Sequence, residues 1–194
     1  MKKFRIGTDD FKEFIEDGGY FVDKSLLIRD IIEGNKVTLI PRPRRFGKTL
    51  NMTMLRYFFE RSEESRSYLF EKCAIANYPD YMQHQGQYPV IYISLKDLKR
   101  DSYEHFIEAT RVEIGSLYKN FAEVQPVLSD GSRERFLRII MEEATLNDLY
   151  SSLKDLITHC HQYYKKPVIV LIDEYDTPMI EAFSHGYYDK MAGF

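Results

Sequence analysis

Ile40-Pro41-Arg42-Pro43-Arg44-Arg45-Phe46-Gly47-Lys48-Thr49 closes a β-branched apolar run and opens an amphipathic helical pattern. In the phosphate loop G-x-x-x-x-G-K-[ST], backbone N–H groups cradle phosphates, the lysine reaches the β and γ phosphates, and the hydroxyl holds Mg²⁺. Gly47, Lys48 and Thr49 match that pattern, but Arg42 stands where the first glycine belongs. Arginine reaches positive φ less cheaply than glycine, and Pro43 restricts it further, so a more extended loop entrance is expected. On pattern alone, Arg42 marks either a variant of the loop or a chance match.

The flanks decide how much weight the motif carries. Upstream, Val37-Thr38-Leu39-Ile40 reads as a short strand buried on both faces of a parallel sheet. Downstream, Leu50, Met54, Leu55, Phe58 and Phe59 recur at helical spacing, giving the strand, loop and helix order that a phosphate loop requires. Before this unit, Asp9 or Asp10 can cap a helix carrying Phe11, Phe14 and Ile15, which Gly18-Gly19 stops. Tyr20-Phe21-Val22 reads as extended, and Asp23 as the N-cap of a helix with Leu27, Ile28, Ile31 and Ile32 on one face.

After Thr49 and its helix, Pro89-Val90-Ile91-Tyr92-Ile93-Ser94-Leu95 reads as a second buried strand and residues 102–121 as a long helix. Ser129-Asp130-Gly131-Ser132 breaks the chain before helical spacing at Phe136, Leu137 and Ile140. A helix over 147–164 ends at Lys165-Lys166-Pro167, and Val168-Ile169-Val170-Leu171-Ile172 then forms an apolar strand delivering Asp173-Glu174. Strands separated by helices imply right-handed crossovers and a mainly parallel sheet covered on both faces. The expected fold is therefore α/β, a three-layer P-loop NTPase sandwich over residues 1–194. It has a helical lead-in to about residue 35 and a core from about residue 36.

Composition narrows the function classes. A chain of 194 residues is long enough for one α/β domain, burying roughly 70% of its unfolded surface. The net charge of −3 gives no global case for nucleic-acid binding. Cys73 and Cys160 are too few and too far apart for a disulfide framework, and no run approaches the ~20 apolar residues of a membrane helix. A cytoplasmic protein with no membrane partner is expected.

Ligands in open α/β sheets bind at the carboxyl ends of the strands. The groups delivered there are Gly47-Lys48-Thr49 and Asp173-Glu174. Arg44, Arg45, Phe46, Gly47, Lys48, Thr49 and Leu50 form the nucleotide-binding set, with Thr49 and Asp173 as Mg²⁺ ligands, Asp173 through water. Lys48 and Glu174 are the catalytic pair, Glu174 orienting and partly deprotonating an attacking water. Arg42, Arg44 and Arg45 form either a solvated basic loop or a source of charge for the γ-phosphate or a neighbouring protein. Asp176 reads equally as a residue behind the metal or as a helix cap. Lys24, Tyr20 and Phe21 could border the adenine, although packing explains the aromatics better. His159-Cys160-His161 is rejected as a metal site, because successive helical residues diverge and Cys160 lies on the apolar stripe.

The chain resembles the bacterial and archaeal predicted AAA-ATPase-like family, whose members often carry a C-terminal PD-D/E-x-K nuclease-like domain. The resemblance runs through Tyr20-Phe21-Val22-Asp23-Lys24-Ser25, residues 42–49, Tyr88-Pro89-Val90-Ile91-Tyr92-Ile93-Ser94, and Val170-Leu171-Ile172-Asp173-Glu174-Tyr175-Asp176-Thr177-Pro178. It implies that Arg42 is a habitual variant, that Lys48 and Thr49 match the Walker A lysine and hydroxyl, and that Asp173 and Glu174 match the Walker B pair. It also implies a fragment that ends before the strand carrying a polar sensor residue. The expected function is ATP binding and Mg²⁺-dependent hydrolysis that drives a conformational change in an absent effector domain. A non-hydrolysing nucleotide switch is the alternative, and a small-molecule kinase ranks lower. Nucleic acid would be contacted only through the absent C-terminal domain, and self-association is a further option.

Overall fold

The computed structural model describes residues 8–18, 21–41 and 46–194, so the features at Gly19, Tyr20, Arg42, Pro43, Arg44 and Arg45 lie outside the described residues. Contacts divide the chain into two compact units, Met1–Val90 and Ile91–Phe194.

In the first unit, α1 (Phe11–Glu16) starts where Asp10 accepts a hydrogen bond from the Glu13 N–H at 3.1 Å. This satisfies one of the N–H groups that a helix start leaves open. Phe11 is fully buried between Phe21 and Phe70, with ring centroids at 5.3 and 5.2 Å, and Phe70 in turn meets Phe58 edge to face at 5.2 Å. α2 (Leu27–Glu33) follows, and α3 (Lys48–Phe59) buries Met54, Leu55, Phe58 and Phe59. α1 is pinned to α3 by polar contacts: the Phe11 N–H donates to Thr53 Oγ1 at 3.0 Å and the Tyr57 hydroxyl to Asp10 at 2.9 Å. Burial and that carboxylate push the Tyr57 hydroxyl up to about 12. Short 3₁₀ turns and α4 (Pro79–Met82) complete the unit.

Two expectations fail in this unit. Residues 37–40 are not a strand, and Val37 and Leu39 are 86% and 64% exposed. A short apolar run becomes a strand only where its backbone finds a ladder partner and its side chains a half-buried surface, and Val37, Thr38 and Leu39 are all exposed. Asp23 does not cap α2, whose N-cap position is Leu26. Its carboxylate accepts instead from the N–H groups of Ser25 (2.8 Å) and Ala74 (2.6 Å), while buried Ser25 Oγ accepts from Ile75 (3.1 Å). Asp23 therefore ties the chain before α2 to the loop about fifty residues on. Burial alone would raise its pKa, but these bonds prevail and lower it.

In the second unit, β1 (Val90–Ser94) and β2 (Ile169–Asp173) form a two-stranded parallel sheet. The crossover between them consists of α5 (Tyr103–Lys119), α6 (Asp130–Ile140) and α7 (Leu146–Tyr164). Expected strands 89–95 and 168–172 are present as β1 and β2, giving an α/β chain in which helices predominate. Gly131 is not a breaker but sits in the first turn of α6. A capping box starts α7: Thr145 accepts from the Asp148 N–H at 3.2 Å and Asp148 from the Thr145 N–H at 3.0 Å. Asp148 also pairs with Arg135 and Arg138, each at 3.2 Å, joining α6 to α7.

The core of this unit gathers Ile91, Ile93, Phe106, Tyr118, Phe136, Leu156 and Cys160. Tyr118 donates to the Ser152 carbonyl at 2.7 Å, so its ring is buried without orphaning its hydroxyl. Cys160 is fully buried, and burial pushes its thiol up to about 12; in the first unit, burial and then Asp23 push that of Cys73 up to about 11. α8 (Thr177–Ser184) and α9 (Tyr188–Ala192) close the chain.

Candidate functional site

Gly47 sits at the N-cap of α3 with φ +70°, ψ 33°, the left-handed conformation that glycine adopts without a Cβ penalty. Lys48 is the first helical residue, and the Asn51 N–H donates to the Gly47 carbonyl at 3.0 Å, closing the first turn. Lys48, Thr49 and Leu50 are partly accessible, and Phe46 is exposed. The N-terminus of this twelve-residue helix thus presents open N–H groups beside a lysine and a hydroxyl, which suits an anion. Asn51, not singled out by motif, is 2% exposed, and its Nδ2 finds no partner among the described residues. Its signal was a polar residue among the buried positions of an apolar face.

The other half of the expected site belongs to the second unit. The Leu95 N–H donates to the Asp173 carbonyl at 2.9 Å, which registers the two strands where β2 ends. Asp173 is 4% exposed; its Oδ1 accepts from the Glu174 N–H at 3.0 Å, and its buried Oδ2 has no partner among the described residues. A buried carboxylate oxygen normally has a donor or a cation. Glu174 adopts φ +52°, rare for a residue with a side chain. Its carbonyl accepts from the Thr177 N–H at 3.0 Å and its Oε2 from the Thr177 hydroxyl at 3.4 Å. Asp176 occupies the N-cap position of α8 but makes no side-chain cap bond, while Pro178 falls in the first turn.

The structure therefore gathers Phe46, Gly47, Lys48, Thr49 and Leu50 at the start of α3, and Asp173 and Glu174 at the end of β2. Thr177 was missed because its link to Glu174 depends on the turn after β2, which local periodicity does not encode. His159 and His161 do not converge: His161 Nδ1 bonds the Lys166 carbonyl, and no metal-ligating cluster occurs among the described residues.

A family described as Predicted AAA-ATPase matches residues 5–194. The chain belongs to this family. Membership in an AAA-ATPase-like family points to nucleotide binding and to ATPase chemistry as its class. An uncharacterized protein encoded in the vnfD 5′ region of Azotobacter chroococcum mcd 1 is 26% identical over 186 residues. That match covers 93% of this AAA-ATPase-like chain and 30% of the relative's length. No solved structure matches the chain. Among the described residues, no helix is long and apolar enough to cross a membrane.

Proposed function

We propose that this AAA-ATPase-like chain binds ATP and hydrolyses it with Mg²⁺, within a P-loop sandwich over residues 1–194, to change the conformation of an attached effector. The observation that carries the reading is Asp173: a buried carboxylate at the carboxyl end of a parallel strand, with one oxygen unmatched among the described residues and Glu174 next in line. A carboxylate oxygen without a donor among the described residues suits a hydrated divalent cation. Asp173, through water, and the Thr49 hydroxyl would hold Mg²⁺, which when bound supplies charge to the phosphate oxygens.

Lys48 would neutralise the β and γ phosphates, and the N–H groups from Gly47 to Leu50 would bind their oxygens. Arg44 and Arg45, with Phe46, complete the proposed nucleotide-binding set. Glu174 would accept the proton of the attacking water as its oxygen bonds the γ-phosphorus; the bond to the bridging oxygen breaks and its electron pair leaves with ADP.

The test combines nucleotide binding with phosphate release for wild type, Lys48→Ala and Glu174→Gln. Binding that weakens at least tenfold in Lys48→Ala and turnover lost in Glu174→Gln are expected. A wild type that binds ATP no better than Lys48→Ala, at millimolar nucleotide with Mg²⁺, sinks the reading. Binding without turnover leaves a nucleotide switch.

A further inference from the structure

We propose that Thr177 is the positioning residue for Glu174, an inference that rests on the hydrolytic reading above. β2 ends at Asp173, and the chain turns through Glu174 at φ +52°, a conformation that a non-glycine residue keeps only where its surroundings impose it. Thr177 bonds Glu174 twice. Its N–H holds the Glu174 carbonyl at 3.0 Å, and its hydroxyl reaches Glu174 Oε2 at 3.4 Å. Thr177 is buried, so its hydroxyl has few other acceptors, and Pro178 stiffens the helix start on which it sits.

A glutamate side chain free at the end of a strand samples many rotamers, and few of them aim a carboxylate oxygen at one water. A donor on Oε2 selects among them and leaves Oε1 to accept from that water. The two bonds are separable. Valine has the shape of threonine without a donor, so Thr177→Val removes the side-chain tether and keeps the backbone one.

Steady-state phosphate release from Mg²⁺-ATP, with nucleotide affinity measured separately, is compared for wild type, Thr177→Val, Thr177→Ser and Glu174→Gln. A fall of about 10- to 100-fold in kcat is expected for Thr177→Val, the scale of a misplaced catalytic group. KM and nucleotide affinity should stay within about twofold, and Thr177→Ser should recover most of the rate, which a purely structural role would not produce. Should the valine variant lose its helical circular dichroism, Thr177→Ala makes the same comparison. Thr177→Val turning over at or above the wild-type rate, while Glu174→Gln is inactive, overturns the positioning role alone. Turnover that persists in Glu174→Gln overturns the role of Glu174 and this inference with it, whereas a wild type that binds ATP and releases no phosphate overturns the hydrolytic reading.

Discussion

Asp173 shields a carboxylate from water, yet among the described residues one of its oxygens has no donor. A buried acceptor that stays unmet costs about 1–3 kcal/mol. Asp173→Asn keeps an oxygen for the Glu174 N–H and removes the charge. It is expected to leave metal-free stability unchanged or raise it by about 1 kcal/mol in urea unfolding, while abolishing any stabilisation by Mg²⁺-ATP. A loss of more than about 2 kcal/mol without ligand would show that Asp173 is structural instead. His159 presents a second residue-scale effect. Burial lowers its pKa, with Asp155 opposing and Arg135 acting the same way as burial, and its Nδ1 has no partner among the described residues. The folded state then resists a proton that the unfolded chain accepts near its ordinary value of about 6.5. The contribution is complete above that pH and is lost as pH falls through the depressed folded value. His105 shifts the other way, raised by its bond to Asp101. Proton NMR titration should therefore find His159 below the ordinary value and His105 above it, and the reverse order would refute the packing around α7.

The α5–α6 crossing turns on one glycine. A Cβ on Gly115 would stand 2.9 Å from the Ile139 carbonyl oxygen, which as backbone cannot step aside cheaply. Gly115→Ala is expected to cost about 1–3 kcal/mol in thermal or urea unfolding, the range for overpacked contacts. Gly131, in the first turn of α6, has open space around it, so Gly131→Ala should stabilise by about 0.4–1 kcal/mol. Equal effects of the two would contradict the crossing. Sequence had marked Gly131 as a breaker, because glycine's local preference says nothing of where a cap such as Ser129 places it. Amphipathic elements were readable: α3, α5 and α7 follow stripes such as Leu149, Leu153 and Leu156. Residues 37–40 were not, since an apolar run encodes a preference for burial and not the partner that provides it. The role of Asp23 was equally hidden, because its bond to Ala74 joins segments that the fold alone brings together. On the site, Gly47 and Lys48 lie where the motif put them, at the start of α3, and Asp173 where the apolar strand pointed. The surroundings of Asp173 Oδ2 and the Thr177 tether depend on how the chain turns after β2, which local pattern does not encode.

For the whole chain, ligand binding should appear as stability. A ligand that binds only the folded state at 100 times its Kd adds about 2.7 kcal/mol, and the midpoint of unfolding should rise as Mg²⁺-ATP is added. The rise should vanish in Lys48→Ala, and a shift equal in both proteins would place the nucleotide elsewhere. Following motion during turnover needs a reporter, and the two native thiols favour one. Cys73 and Cys160 fall one in each compact unit, both buried, and burial holds both predominantly protonated at neutral pH. Thiolates, not thiols, attack maleimides, so a cysteine introduced on the exposed face of α8, for instance Phe183→Cys, would be labelled ahead of them. Single-site fluorophores could then be installed on an otherwise native chain.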